Sequence, residues 1–317
     1  MSVKVAVLDD YQGVAKLHAD WSVLKDASVT TFNDHLADPA ALAERLKDFD
    51  VVCMMRERTP ISRAVIERLP KLKLIVTTGM RNASLDVKAA TDRGIVVSGT
   101  GGTTHVTPEL TWGLIIALMR HLPDEHNAMK AGKWQTTVGR GLQGRTLGLL
   151  GLGKLGGRVA VVGKAFGMNL IAWSQNLTQE RADKYDARLV SKDELFAQSD
   201  VITIHLVLSD RTRHLVGAKE FGLMQKHAYI VNTSRGPIID EQAMLAALQA
   251  KQIAGAGLDV YDHEPLPKDH LLRKLDNVVL TPHLGYVTDD TFEPFYRETV
   301  EDIAAWQSGA PIRVIAP

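Results

Sequence analysis

The chain has 317 residues, and its 37 Lys and Arg residues balance its 37 Asp and Glu residues, so the formal net charge is zero. Nucleic acids and anionic membrane surfaces are bound through an excess of basic residues, so this balance argues against both kinds of partner. A composition of 45% hydrophobic and 23% charged residues is typical of a globular protein, and the length favours two domains.

Cysteine content and hydrophobic runs narrow the class of protein further. The single cysteine, Cys53, excludes an intrachain disulfide and a zinc site built from several cysteines. The longest helical apolar run, Trp112–Met119, is much shorter than the about 20 residues that a membrane-spanning helix needs. These features favour a cytoplasmic protein with no metal site and no membrane partner.

Short β-branched runs alternate with amphipathic stretches along the chain, which is typical of parallel sheets built from βαβ units. Asp38 followed by Pro39 predicts a helix start, with Asp as the N-cap and Pro in the first turn. A second helix is predicted over Arg63–Leu69. The strands predicted in this first third are Lys4–Leu8, Val51–Met55, Leu74–Thr77 and Ile95–Val97.

A segment rich in glycine and hydroxyl side chains, Ser98–Thr104, interrupts this series and suits a linker. After it, Pro108–Arg120 is predicted to form a strongly apolar helix, a capping box begins at Ser191, and Thr291–Gln307 predicts a last helix. The strands predicted in this second series are Thr146–Leu150, Leu170–Trp173, Val201–Ile204, Ile230–Asn232, Gly257–Val260 and Val278–Thr281. The sequence therefore contains two successive α/β units of different size.

A glycine-rich loop directly follows the predicted strand Thr146–Leu150. Its residues, Gly151-Leu152-Gly153-Lys154-Leu155-Gly156, have the spacing of a dinucleotide-binding loop and lead into a helical stretch. In such a loop the first glycine permits the turn, the second admits the pyrophosphate and the third allows close helix packing. A plain tight turn is the alternative, but the strand–loop–helix context favours dinucleotide binding.

The next strand ends at Trp173 without the acidic residue that usually binds the adenosine ribose. Ser174 stands at that position, followed by Gln175 and Asn176, and no carboxylate is present there to repel a 2′-phosphate. No arginine is adjacent, although arginine is the usual partner of that phosphate. The loop therefore favours NADP(H) without excluding NAD(H).

Three polar side chains follow apolar strands of the second series. Arg235, Glu264 and His283 are each predicted near a strand's carboxyl end, where ligands of open α/β sheets bind. Taken singly, each is more often a surface or packing residue. A cation, an acid and an imidazole beside a dinucleotide loop instead indicate a catalytic group.

The chain resembles the D-isomer-specific 2-hydroxyacid dehydrogenases over essentially its whole length. Four blocks carry the resemblance: Gly151–Gly156, Asn232–Gly236, Gly257–Val260 with Glu264-Pro265, and Thr281–Gly285. The resemblance implies that the three residues Arg235, Glu264 and His283 are catalytic, and that Gly79 anchors the substrate carboxylate.

The chemistry of these residue types agrees with those roles. The forked guanidinium of Arg235 can bind a carboxylate and polarise the adjacent carbonyl. The imidazole of His283 can protonate the alkoxide that forms, and Glu264 can fix its tautomer and favour its charged form. Backbone N–H groups at Gly79 and Met80 would hold the substrate carboxylate.

Further roles are implied less specifically. Arg56 ends a strand of the predicted substrate domain, and with the neighbouring arginines it could bind a second anionic group of the substrate. Backbone N–H groups of Lys154 and Leu155 would bind the pyrophosphate, and Asp259 would bond the nicotinamide amide. The residues that would otherwise line the cofactor are Gln175, Leu206, Thr212, Thr233 and Gly285.

The resemblance implies two Rossmann-like or flavodoxin-like domains with parallel sheets. Residues 1–100 plus 289–317 would form the substrate (catalytic) domain, and residues 101–288 the inserted dinucleotide-binding Rossmann domain. Because the helix Pro108–Arg120 is more apolar than one buried stripe requires, we expect a homodimer.

The predicted function is reversible reduction of a 2-oxo acid to a D-2-hydroxy acid with NAD(H) or NADP(H). Formate-type dehydrogenases share the fold, but Glu264 argues against that chemistry, because that branch has glutamine at the same position. Phosphite oxidation remains an alternative, since that branch keeps a similar trio. An NAD(H)-sensing, corepressor-like binding protein is the alternative from another class.

Overall fold

The computed structural model describes residues 2–317, which form twelve β-strands and eleven α-helices. The strands are β1 (Val3–Val7), β2 (Ala27–Thr31), β3 (Val51–Met54), β4 (Leu74–Thr77), β5 (Val96–Gly99), β6 (Thr146–Leu150), β7 (Asn169–Trp173), β8 (Arg188–Leu189), β9 (Val201–Ile204), β10 (Tyr229–Asn232), β11 (Gly255–Leu258) and β12 (Val278–Leu280). The helices are α1 (Pro39–Leu46), α2 (Arg63–Ile66), α3 (Val87–Asp92), α4 (Val106–Arg120), α5 (Leu122–Lys130), α6 (Lys154–Ala165), α7 (Gln179–Asp183), α8 (Lys192–Gln198), α9 (Ala218–Leu223), α10 (Glu241–Gln249) and α11 (Asp289–Gln307).

The first compact unit, called the terminal unit, comprises residues up to Thr103 together with Val287–Pro317. Its five strands are parallel in the order β2-β1-β3-β4-β5. Helices α1, α2 and α3 bury apolar residues against strand residues such as Val52 and Ile75, while α11 packs on β4 and β5. Because successive strand residues point to opposite faces, the fully buried strands β3 and β4 supply apolar side chains to both faces of the sheet.

The second compact unit, called the central unit, comprises Thr104–Tyr286. Its seven strands are parallel in the order β12-β11-β10-β9-β6-β7-β8. The chain leaves β6 toward β7 on one side and returns to β9 on the other, which makes the carboxyl ends of β6 and β9 a topological switch point. Ligands of open α/β sheets bind at such a point. The predicted fold class of two parallel α/β sheets is thereby confirmed.

Local signals in the sequence account for several helix ends. The Asp38 carboxylate accepts a hydrogen bond of 2.7 Å from the Ala41 N–H, as its N-cap position predicts. Ser191 and Glu194 form the predicted capping box at the start of α8. Helix α4 ends at Arg120, and its C-cap residue His121 has a φ of 51°, in the left-handed region. These caps satisfy backbone groups that the helices leave without intrahelical partners.

The apolar side chains of helix α4 are explained by packing within the central unit itself. Its side chains Trp112, Leu114, Ile115 and Leu118 are buried, and the helix packs on α6, β10, β11 and β12. The exposed large apolar side chains of this region lie mainly after α4, at Leu122, Met129, Trp134 and Val138. No helix within residues 2–317 combines the length and the apolarity needed to cross a membrane.

Candidate active site

The residues predicted to bind a cofactor lie along one edge of the central sheet. Each comes from the loop, or from the first turn of the helix, that follows the carboxyl end of a strand, and all strands of the sheet are parallel. In strand order across the sheet from β12 to β7, these residues are Gly285, Asp259, Thr233, Leu206 with Thr212, Gly151 with Gly153 to Gly156, and Ser174 with Gln175.

The glycine loop has the geometry that phosphate binding requires. Gly151 has a φ of +102°, and a Cβ there would lie 2.8 Å from the His205 carbonyl oxygen. A Cβ at Gly156 would overlap the Gly151 carbonyl oxygen, so neither glycine tolerates a side chain. Around Gly153, in contrast, a Cβ would meet no heavy atom within 4 Å. Open space at the start of α6, where N–H groups lack intrahelical acceptors, fits a pyrophosphate at Gly153, Lys154 and Leu155.

The loop after β7 lies directly beside the glycine loop. The Gly151 N–H donates to the Trp173 carbonyl oxygen at 2.9 Å, which places Ser174 next to the first glycine. The Ser174 carbonyl oxygen accepts from the Leu177 N–H at 3.0 Å and closes a turn in which Gln175 and Asn176 are exposed. This turn contains no carboxylate, so the position where an acid usually binds the ribose carries only neutral polar groups.

His283 and Glu264 form the most direct pair in the site. Their Nδ1 and Oε2 atoms are 2.5 Å apart, and the other carboxylate oxygen of Glu264 accepts from the Tyr261 N–H at 2.9 Å. Burial pushes the pKa of Glu264 up, but the bonds from His283 and Tyr261 and the charge of Arg235 hold that pKa below its ordinary value. The carboxylate therefore stays ionised and fixes the imidazole, assigning its Nδ1 as the donor and leaving Nε2 for chemistry.

Asp259 anchors the backbone that carries His283. Its side chain is fully buried and accepts hydrogen bonds from the Thr281 hydroxyl at 2.6 Å and from the Leu284 and Gly285 N–H groups at 2.7 and 2.8 Å. Burial raises the pKa of Asp259, and these bonds offset only part of that rise. The structure thus places Asp259 under the histidine loop, and its contact with the nicotinamide amide stays a prediction.

Arg235 is positioned by the strand end before it. The Asn232 side chain donates to the Arg235 carbonyl oxygen at 2.9 Å and accepts from the Ser234 N–H at 3.0 Å. The guanidinium of Arg235 donates to the Ser234 carbonyl oxygen at 2.7 Å. The sequence blocks that carry Arg235, Glu264 and His283 therefore converge in the central unit, close enough for the Arg235 charge to act on Glu264.

The terminal unit holds the other predicted substrate residues together. Gly79 has a φ of +90°, and a Cβ there would overlap Nη1 of Arg56. That same Nη1 donates to the Thr78 carbonyl oxygen at 3.1 Å, while the Gly79 N–H donates to the Thr100 hydroxyl at 3.0 Å. Met80 follows with its side chain exposed. Arg56 thus lies against the Gly79 loop, and its cation stands beside the backbone predicted to bind a carboxylate.

Comparison with known proteins identifies the family. The model of the D-isomer specific 2-hydroxyacid dehydrogenase NAD-binding domain matches residues 112–285, more than half of the chain. The chain belongs to this dehydrogenase family. It is 41% identical to a D-3-phosphoglycerate dehydrogenase of Methanocaldococcus jannaschii over 253 residues, 78% of this chain and 48% of that protein. A glyoxylate reductase of Aeropyrum pernix is 38% identical over 255 residues, 77% of this chain and 76% of that protein.

A solved structure of a dehydrogenase relative extends the likeness to the whole fold. The phosphoglycerate oxidoreductase of Vibrio cholerae O395 superposes with a TM-score of 0.93 at 38% identity, covering 97% of this chain and 100% of that one. The chain spans about half the length of the first phosphoglycerate dehydrogenases that it matches. As in the family model, the central unit is an NAD-binding domain.

Several positioning residues of the candidate site were not predicted from the sequence. Asn232 and Thr281 lie inside the blocks that carry Arg235 and His283, yet their roles appear only in the hydrogen bonds described above. Thr107 and Thr111 of α4 also reach the site, through bonds of 2.7 Å to the Gly285 carbonyl oxygen and 2.8 Å to the Thr233 hydroxyl. An asparagine at the last position of a strand is a turn signal that could have indicated Asn232.

Proposed function

We propose that the chain catalyses the reversible, NAD(P)H-dependent reduction of a 2-oxo acid to a D-2-hydroxy acid. The observation that carries this proposal is the hydrogen bond between His283 and Glu264, on loops at the same sheet edge as Arg235 and the glycine loop. Carbonyl reduction requires a proton donor, and an imidazole fixed by a carboxylate is well suited to that task at neutral pH. The relatives' names support the same class of reaction.

The side chains divide the chemistry among them. A bound nicotinamide cofactor would supply the hydride to the substrate carbonyl carbon. His283 donates the Nε2 proton to the carbonyl oxygen and accepts it back in the reverse direction. Glu264 holds the Nδ1 proton and stabilises the imidazolium, while the Arg235 guanidinium binds the substrate carboxylate and polarises the carbonyl.

The terminal unit would contribute recognition of the substrate's negative charge. We assign this role to the loop backbone at Gly79 and Met80, with Arg56 as a cation beside it. Because the Gly79 N–H already donates to the Thr100 hydroxyl, the Met80 N–H would be the donor to the substrate. Because Arg56 contacts Gly79 itself, its charge is well placed to strengthen binding of one carboxylate, and a second anion on the substrate would need a further donor. Some relatives are named for a phosphorylated substrate and others for glyoxylate. Whether the substrate of this chain carries one anionic group or two should therefore be measured.

The proposal includes a preference for NADP(H) over NAD(H). It rests on Ser174, Gln175 and Asn176, which carry no charge where a carboxylate would repel a 2′-phosphate. It also includes a homodimer, supported by the exposed apolar side chains of Leu122, Met129, Trp134 and Val138 in the central unit. Trp134→Ser should then lower the molar mass measured by light scattering toward that of a monomer.

A panel of substrates tests the function. Small, branched, dicarboxylic and phosphorylated 2-oxo acids are supplied with NADH or NADPH, and cofactor consumption is followed by absorbance at the nicotinamide band. Consumption with at least one 2-oxo acid is the expected result. Activity confined to phosphite or formate oxidation, or binding of cofactor with no turnover on any substrate, would overturn the proposal in favour of its alternatives.

A further inference from the structure

The side chain of Arg181 extends toward the turn Ser174–Leu177, which lacks the acidic residue that usually binds the adenosine ribose. Arg181 lies on α7, the short helix after the Ser174–Leu177 turn, and its N–H donates to the Thr178 hydroxyl at the helix start. Its guanidinium Nη1 donates to the Asn176 carbonyl oxygen at 3.4 Å. A residue seven positions beyond Ser174 in sequence therefore brings its charge to the exposed turn beside the glycine loop.

No carboxylate of the described residues neutralises the charge of Arg181. Within residues 2–317, its side chain is exposed and pairs with no carboxylate. Two other basic residues of the central unit do pair with carboxylates: Arg145 pairs with Asp200 at 3.1 Å, and Lys164 pairs with Asp186. A guanidinium held near a turn by one weak carbonyl bond keeps most of its N–H donors for a ligand.

We propose that Arg181 binds the 2′-phosphate of NADP(H) together with the Ser174 and Asn176 side chains. This inference rests on the proposed NADP(H) preference and names the cation that such a preference requires. The Gly151 bond to Trp173 places the turn beside the pyrophosphate loop, which is where the adenosine ribose of a dinucleotide lies in such folds. Guanidinium forms forked bonds to phosphate, whereas neutral side chains alone supply little affinity for a dianion.

Binding of two adenosine nucleotides, measured by calorimetry on the full chain, isolates this contact from catalysis. The probes are adenosine 2′,5′-bisphosphate and 5′-AMP, which differ only in the 2′-phosphate. Arg181→Ala is expected to weaken binding of the bisphosphate about tenfold and to change 5′-AMP binding less than about twofold. Arg188→Ala is the matched control, because Arg188 is an exposed arginine of the neighbouring edge strand that bonds Gln198 instead.

The outcomes distinguish a failure of the Arg181 assignment from a failure of the proposed NADP(H) preference or of the proposed 2-oxo acid reduction. If the unaltered protein binds the bisphosphate no better than 5′-AMP, both the NADP(H) preference and the role of Arg181 are overturned, while 2-oxo acid reduction stands. If the preference exists but survives in Arg181→Ala, or falls equally in Arg188→Ala, only the role of Arg181 is overturned. Partial recovery of bisphosphate binding in Arg181→Lys would support a charge effect at this position.

Discussion

The two units share one architecture but place different kinds of group at the carboxyl edges of their sheets. In the central unit, Glu264 and His283 bond each other, and Asp259 bonds the backbone of the histidine loop. In the terminal unit, the predicted site is the backbone of one loop at Gly79, with Arg56 packed against it. Ionisable side chains held in a network suit proton transfer, whereas backbone and a cation suit recognition. We therefore expect changes in the central unit to act mainly on kcat and changes in the terminal unit to act mainly on KM.

The largest expected effect is the loss of the proton donor in the central unit. His283→Ala should lower kcat for 2-oxo acid reduction by about a thousandfold or more, because no other group replaces Nε2. Cofactor binding, followed by fluorescence, should change less than about twofold, since the glycine loop is untouched. His263→Ala, an exposed histidine of the Glu264 loop, is the control and should keep its activity. Turnover at a tenth of normal in His283→Ala would contradict the assignment.

The corresponding substitution in the terminal unit is Gly79→Ala. An alanine there is strained by the φ of +90°, and its Cβ would displace the Arg56 guanidinium. Gly79→Ala should raise KM for the 2-oxo acid about tenfold or more and leave kcat within about threefold. Gly94→Ala controls for backbone strain, because Gly94 has a φ of +70° and open space around it. A fall in kcat with KM unchanged would show that the two units do not divide binding and chemistry in this way.

Most strands of both units could be predicted from the sequence, and each unit has one strand that could not. The strands predicted in both units lie within about two residues of their observed bounds, because their apolar runs are continuous and bounded by turn residues. Strand β2 was missed, since Ala27–Thr31 is an edge strand with exposed residues and no apolar run. Strand β8 was missed because it has only two residues.

The predicted sites of the two units differ more than their strands in how far the sequence predicts them. Arg235, Glu264 and His283 stand in sequence blocks near strand ends, so their approach follows from the parallel order of β10, β11 and β12. The contact of Arg56 with Gly79 joins residues from different strand ends through a left-handed backbone at Arg56, with a φ of 51°. The reach of Arg181 back to Asn176 is a side-chain conformation, which no spacing rule predicts.

A negative charge placed in the cofactor loop should change the cofactor affinity of the central unit without affecting substrate binding. Ser174→Asp introduces a carboxylate that repels a 2′-phosphate and can bond the ribose hydroxyls. We expect the Kd of NADP⁺ to rise about tenfold and the Kd of NAD⁺ to fall or remain unchanged. Ser174→Asn keeps the loop neutral and is the matched control. If both cofactors lose affinity equally in Ser174→Asp, the change has disturbed the loop, and the NADP(H) preference must be judged from the unaltered protein's affinities.

The smallest effect on catalysis is expected from Asp302→Asn, which alters a buried carboxyl group far along α11 in the terminal unit. It should change kcat at most about twofold. Asp302 is fully buried; its Oδ1 accepts from Arg313 at 2.8 Å, and its Oδ2 has no hydrogen-bond partner within residues 2–317. Burial raises the pKa of Asp302 from 3.8 to about 7, although the Arg313 charge opposes that rise. The pKa of Glu264 in the central unit is shifted the other way, downward.

Those opposite shifts predict opposite pH dependences of stability. Folded Asp302 holds its proton up to about pH 7 while the unfolded chain releases it near pH 4, so the free energy of unfolding should fall as pH rises between these values, by at most about 1.4 kcal/mol per pH unit. The contribution of Glu264 is present above its ordinary pKa and is lost as pH falls. Asp302→Asn keeps an acceptor for Arg313 without a titrating proton, so the decline between pH 5 and 7 in urea unfolding should flatten relative to the unaltered chain. An identical slope in both proteins would show that Asp302 is ionised throughout this range.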